Sequence, residues 1–246
     1  MLNLKNLELH SEPFPHFFVN NFIEKNKFIQ LYNNFPTVDW FGGGKNGDGR
    51  KTSHTNRFNL SAGQYGETNF DAFITKDENK CWKELYQEVS SVKFRQTVLN
   101  LFETELDKNS YIESEFSPIT FDVSYQTDGY VNPPHLDTPY HVFQAIVYLS
   151  TENIEQGGNI TLWKDQKIAK CYEVKNNSCL IWLNTSDSYH AAYPELRGER
   201  RLIYIGIDSV LPTCWGNRAA PKTHKFDFKN AKSPWRIYDF SKNVFI

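Results

Sequence analysis

The chain has 246 residues, 39% of them hydrophobic, enough to bury one core of ordinary to large size without a second domain. Its net charge of −2, with basic residues spread along the sequence rather than massed, gives no broad attraction for a polyanion and disfavours nucleic-acid binding. Met1 to His10 holds no apolar run of signal-peptide type and no stretch reaches transmembrane length, so a soluble cytoplasmic protein without a membrane partner is expected.

In chain order, Phe14 to Val19 predicts a short strand, and Phe28, Leu31, Tyr32 and Phe35 then fall on one helix face that Pro36 ends. Five glycines stand between Phe41 and Arg50. Gly44-Lys45 makes no phosphate-binding loop, because Asp39 and Asn46 occupy places where that motif needs Gly and Ser or Thr. The Gly42 to Gly49 segment reads either as a mobile lid or as a plain surface turn. From Lys80 onward, Trp82, Leu85 and Val89 share a helix face, and after Ser90-Ser91 the set Phe94, Val98, Leu101 and Phe102 continues it. These stripes are expected to pack on the outside of a sheet. Cys81, Cys171, Cys179 and Cys214 lack Cys-x-x-Cys spacing, which predicts free thiols and no structural zinc.

Strand signals dominate the second half. Phe121 to Tyr125 alternates, and a turn with Gly129, Pro133 and Pro134 leads into His135. Phe143 to Leu149 is almost wholly apolar, as in a strand buried on both faces. Gly157-Gly158 opens the strand Asn159 to Trp163, Ser178 to Leu183 forms another, and Arg201 to Ile207 a last one. Many short strands with turns between them predict a sandwich or barrel.

The chemistry centres on His135-Leu136-Asp137, with His190 far downstream and Arg200 beyond it. His135 and Asp137 are two apart, so an extended strand turns both to one face. Two imidazoles and one carboxylate occupy one face of a ferrous ion and leave three positions open for O₂ chemistry. A nearby guanidinium clamps the distal carboxylate of a dicarboxylate such as 2-oxoglutarate.

The stretch from about Ser117 to Asp208 resembles the double-stranded β-helix of the 2-oxoglutarate and Fe(II)-dependent oxygenases, most closely their prolyl-4-hydroxylase-like branch. It carries, in order, a Tyr ten positions before the first His (Tyr125), the His-x-Asp, Gly157-Gly158, the distal His190, and Gly198-Glu199-Arg200. The resemblance implies Fe(II) on His135, Asp137 and His190, with 2-oxoglutarate and O₂ as co-substrates. Arg200 and Tyr125 would bind 2-oxoglutarate, and succinate and CO₂ would be released as a substrate C–H bond is hydroxylated. Arg201 rivals Arg200, since a regular strand turns only one of them inward, and the alternative for Tyr125 is a core tyrosine satisfied by the backbone. His141 and His54 receive no role.

Sister families fit less well. Leu202 stands where nucleic-acid demethylases resemble Asn and where plant and antibiotic-pathway oxygenases usually carry Ser, and Asp137 occupies the position that iron halogenases leave to Gly or Ala. The expected layout is a mostly β protein with flanking helices: a helical, lid-bearing cover over 1–116, a jelly-roll core over 117–210, and an extension over 211–246 that packs back. The expected substrate is a peptidyl side chain, an amino acid or another small metabolite. The rival functions are a non-catalytic jelly roll that retains a metal and a structural β-sandwich with incidental histidines.

Overall fold

The computed structural model describes residues 1–5, 7–41, 56–62, 69–109, 119–137 and 141–208, with two short paired strands at Tyr238–Asp239 and Val244–Phe245. The Gly42 to Gly49 segment, His54, Cys214 and most of the expected C-terminal extension lie outside the described residues.

In chain order the strands are β1 (His16–Val19), β2 (Arg57–Ala62), β3 (Ile119–Gln126), β4 (Asn132–His135), β5 (His141–Ser150), β6 (Ile154–Gln156), β7 (Ile160–Lys164), β8 (Lys167–Tyr172), β9 (Cys179–Leu183), β10 (His190–Ala192), β11 (Arg197–Gly198) and β12 (Arg200–Asp208). The helices are α1 (Lys25–Asn33), α2 (Asn69–Ile74), α3 (Lys80–Val89), α4 (Val92–Leu101) and α5 (Glu103–Asn109). A six-stranded sheet runs β1-β9-β5-β12-β3-β2 and faces a four-stranded sheet β4-β10-β7-β8. Their pairings are all antiparallel. This is a mostly β protein with flanking helices and a jelly-roll core.

Side-chain alternation sets the layers. Phe121 and Val123 of β3, Phe143, Ala145 and Val147 of β5, and Ile203, Ile205 and Ile207 of β12 point outward, into one buried cluster with Leu31, Trp82, Leu85, Val89, Phe94 and Val98 of the helices. The helical stripes therefore cover the outer face of the large sheet, as their spacing predicts. Intervening residues point inward: Ile146 and Tyr148 of β5, Leu180 and Trp182 of β9 and Leu202 of β12 meet Ile160 and Leu162 of the small sheet. Toward β2 the inner face turns polar, with Asn59, Ser61, Asp122, Ser124, Gln126 and Gln144 all buried.

His16 joins the sheets at one edge. Its Nδ1 lies 2.8 Å from the Phe14 carbonyl and its Nε2 lies 2.7 Å from the Tyr172 hydroxyl. A carbonyl only accepts, so Nδ1 carries the proton and Tyr172 donates to Nε2. Burial lowers the His16 pKa from 6.5 to about 4, against the raising effect of the Phe14 carbonyl. The unfolded chain therefore takes up a proton that the folded chain refuses, and the stability held above pH 6.5 is lost as pH falls through about 4. With solvent screening the loss is on the order of 2 kcal/mol. In urea unfolding at pH 7 and pH 4.5, the wild type should lose more stability than His16→Gln by about that amount; equal losses in the two proteins would dismiss His16 as the cause.

Candidate metal centre and its cavity

His135 closes β4 and His190 opens β10, and the antiparallel register sets them opposite each other. Their ring centroids are 4.4 Å apart. Asp137, just past the end of β4, places Oδ1 3.8 Å from His135 Nε2 and Oδ2 3.6 Å from His190 Nε2. One ligand atom from each of the three residues falls within 4.8 Å of the others.

The surrounding bonds set which ring nitrogen of each imidazole faces the centre. His135 Nδ1 lies 2.8 Å from the Pro133 carbonyl and His190 Nδ1 3.0 Å from that of Ser188. Both Nδ1 atoms must donate, so each Nε2 is the acceptor nitrogen, and that of His135 lies 3.3 Å from Asn132 Nδ2. Asp137 Oδ2 is buried without a hydrogen-bond partner among the described residues. Burial alone would raise the Asp137 pKa, but the His190 and His135 imidazoles hold it below the ordinary carboxylate value. Two neutral nitrogens and one carboxylate with an unmatched oxygen suit a divalent cation such as Fe(II).

The three side chains line a cavity of about 180 Å³ between the sheets. Arg200 lines the same cavity and is buried, whereas Arg201 turns to the outer face, its guanidinium 5.0 Å from the Phe35 ring centroid. Arg200 Nε donates to Gln126 Oε1 at 2.6 Å and Nη1 donates to the Gly158 carbonyl. The Tyr130 and Tyr148 rings stand 5.7 and 5.6 Å from the guanidinium, within cation–π range. Gly158 has φ +65, and a Cβ there would lie 2.9 Å from Leu196 Cδ1 and 3.3 Å from Arg200 Nη1. Glycine is needed at this point both for its backbone angle and for the approach of Arg200.

Tyr125 does not reach this cavity, and its expected part in co-substrate binding is corrected. It shares the odd parity of Phe121 and Val123, packs with Phe41 and Phe58 on the outer side, and its hydroxyl donates to Glu199. Burial, then that bond, raises the Tyr125 phenol to about 12. The cavity takes its tyrosines from Tyr130, Tyr148 and Tyr204 instead. Local pattern gives no sign of a site role for Arg57, Asp122, His141 or Trp182, yet all four line the cavity. Trp182 Nε1 is a buried donor with no partner among the described residues, and its ring lies 4.6 Å from that of His190.

The double-stranded β-helix thus holds a His-Asp-His cluster beside a buried arginine. Residues 122–206 match the family model of the 2OG-Fe(II) oxygenase superfamily. Solved structures with the same fold include a prolyl 4-hydroxylase of Phytophthora capsici, with TM-score 0.52 and 15% identity over 79% of this chain. This match spans only 59% of that chain. A Pseudomonas putida prolyl-4-hydroxylase matches at TM-score 0.50 and 14% identity over 79% of this chain and 92% of its own. A dioxygenase for auxin oxidation from Arabidopsis thaliana matches at TM-score 0.54 and 10% identity over 80% of this chain and 84% of its own. No match to a curated protein was found by sequence. The family-model match covers residues 122–206 of the 246, and His135, Asp137 and His190 within that stretch could hold a metal ion. No helix among the described residues is long and apolar enough to cross a membrane.

Proposed function

We propose that His135, Asp137 and His190 hold the ferrous ion, that Arg200 binds the distal carboxylate of 2-oxoglutarate, and that the enzyme hydroxylates a C–H bond, releasing succinate and CO₂. The substrate is a peptidyl side chain, an amino acid or another small metabolite. The observation that carries this reading is the convergence of two imidazole Nε2 atoms, an unmatched Asp137 oxygen and a buried guanidinium on one cavity. When bound, the iron with 2-oxoglutarate and O₂ supplies the oxidant.

The protein's part is binding and orientation. The Pro133 and Ser188 carbonyls fix the two imidazoles. With Nε and Nη1 of Arg200 bonded to Gln126 and Gly158, its Nη2 is the arm left for the co-substrate. Tyr148 replaces Tyr125 as the phenol at that end: its ring lies 5.6 Å from the Arg200 guanidinium, and burial raises its pKa so that it stays an O–H donor. Ile146 and Ile160 close the wall with apolar surface that excludes water.

Protein purified under argon should take up one Fe(II) per chain and form succinate only when 2-oxoglutarate and O₂ are both supplied. Iron uptake without succinate under any tested substrate would instead favour the non-catalytic metal-retaining jelly roll.

A further inference from the structure

The side-chain amide of Asn132 stands where a metal has to come. Its Nδ2 lies 3.3 Å from His135 Nε2. Because the Pro133 carbonyl takes the Nδ1 proton of His135, Nε2 accepts and the amide donates. On a regular strand Asn132 and His135, three apart, would face opposite ways. β4 instead pairs Asn132 with Ala192 and His135 with His190, one residue more than β10 spans between the same two pairs. That extra residue makes a bulge, taken up at Pro133-Pro134, where the missing N–H groups suit a break in the ladder. The bulge re-aims Asn132 onto the cavity wall that His135 and His190 also line.

One lone pair serves one partner. An imidazole nitrogen binds a divalent ion such as zinc at about 2.1 Å, inside the 3.3 Å at which the amide bonds, so metal and amide exclude each other at His135 Nε2. The displaced N–H group then stands beside the ion with its acceptor taken. Neighbouring donor atoms around an octahedral ion lie about 3 Å apart, which is also hydrogen-bond distance. A donor held next to one ligand atom is therefore in reach of an oxygen at the adjacent position, and an anionic oxygen makes the stronger bond.

We infer that Asn132 is a positioning residue that exchanges partners: its amide occupies the His135 lone pair in the metal-free protein and, once an ion has taken that nitrogen, donates to the carboxylate of 2-oxoglutarate at the ion. This rests on the iron and 2-oxoglutarate assignment above and adds to it a donor at the metal end of the co-substrate.

Fe(II) and 2-oxoglutarate should respond to Asn132→Ala with opposite signs, because the substitution removes a competitor of the first and a partner of the second. In calorimetry under argon, where no turnover occurs, the variant should bind Fe(II) about two- to tenfold tighter than wild type. The Fe(II)-loaded variant should bind 2-oxoglutarate about tenfold or more weaker, as expected for a neutral hydrogen bond and for one to an ion. Oxalate, which offers the ion a carboxylate but has no distal carboxylate for Arg200, should weaken by a similar factor. A merely structural role for Asn132 moves the Fe(II) and 2-oxoglutarate affinities the same way or moves neither. Fe(II) affinity that is unchanged or lower, unchanged 2-oxoglutarate affinity, or a loss that oxalate does not share would each overturn the inference. Should Asn132→Ala fail to fold, wild type decides: the side-chain amide signals of Asn132 in NMR must shift on adding Zn(II) and again on adding 2-oxoglutarate, and signals that ignore 2-oxoglutarate overturn it equally. Wild type that fails to take up Fe(II) or 2-oxoglutarate would instead bring down the site assignment itself, and the exchange with it.

Discussion

Asp137→Ala should abolish substrate-dependent succinate formation and weaken Fe(II) binding by more than about 100-fold, beyond the 10- to 100-fold that loss of an outer partner of a metal ligand costs. The stability of the iron-free protein should hardly change. Asp137 stands beyond the last hydrogen-bonded residue of β4, and its Oδ2 has no hydrogen bond to lose. The two imidazoles keep their carbonyl bonds to Pro133 and Ser188, so they remain as a weak two-nitrogen site. Iron at 100 times its Kd stabilises a folded protein by about 2.7 kcal/mol. The unfolding midpoint of the wild type should therefore rise on adding Fe(II), while that of the variant stays flat. A folded Asp137→Ala protein that keeps its turnover would remove Asp137 from the ligand set.

The core was legible because its signals are local or periodic. Phe143 to Leu149 reads as a doubly buried strand and forms the middle of β5, with the helix-covered sheet face on one side and the cavity on the other. The helical stripes at Trp82, Leu85 and Val89 and at Phe94 and Val98 depend on spacing alone, and the outer cluster holds them all. His135, Asp137 and His190 were legible as a motif, and antiparallel pairing of β4 with β10 brings them together.

Tyr125 follows the parity of its strand, which its spacing from His135 does not override. The same alternation that sends Phe121 and Val123 to the helices sends Tyr125 with them, while Asp122, Ser124 and Gln126 take the inner face. Arg57 carried no signal of that kind. It opens a short strand of mixed character, and only long-range pairing with β3, Arg57 to Gln126 and Ser61 to Asp122, puts it at the cavity. His141 looked like a lone histidine because its partner Asp208 lies at the far end of β12, 67 residues away. Local pattern records which face a side chain takes, but not which distant strand comes to lie beside it.

Arg200→Ala should raise the 2-oxoglutarate requirement by roughly 30- to several-thousand-fold, as expected when a buried carboxylate loses a charged partner worth about 2–5 kcal/mol. Part of the effect will appear as stability, since Gln126 Oε1 and the Gly158 carbonyl also lose their donor, at about 1–3 kcal/mol for each acceptor left unsatisfied. Binding must therefore be measured at a temperature where the variant is folded. Arg200→Lys separates charge from shape: it keeps the cation but cannot bond Gln126 and Gly158 while reaching the ligand, so an intermediate loss is expected. Arg201→Ala is the control. Its guanidinium rests on Phe35 at the outer face, where removal costs about 0.5–1 kcal/mol of stability and should leave 2-oxoglutarate affinity within about twofold, since Arg201 does not line the cavity. A larger loss of affinity for Arg201→Ala than for Arg200→Ala would mean that β12 is displaced by one residue in solution, which would turn Tyr204 out of the cavity with Arg200. Full 2-oxoglutarate affinity in both variants would transfer the clamp to the other guanidinium that lines the cavity, Arg57.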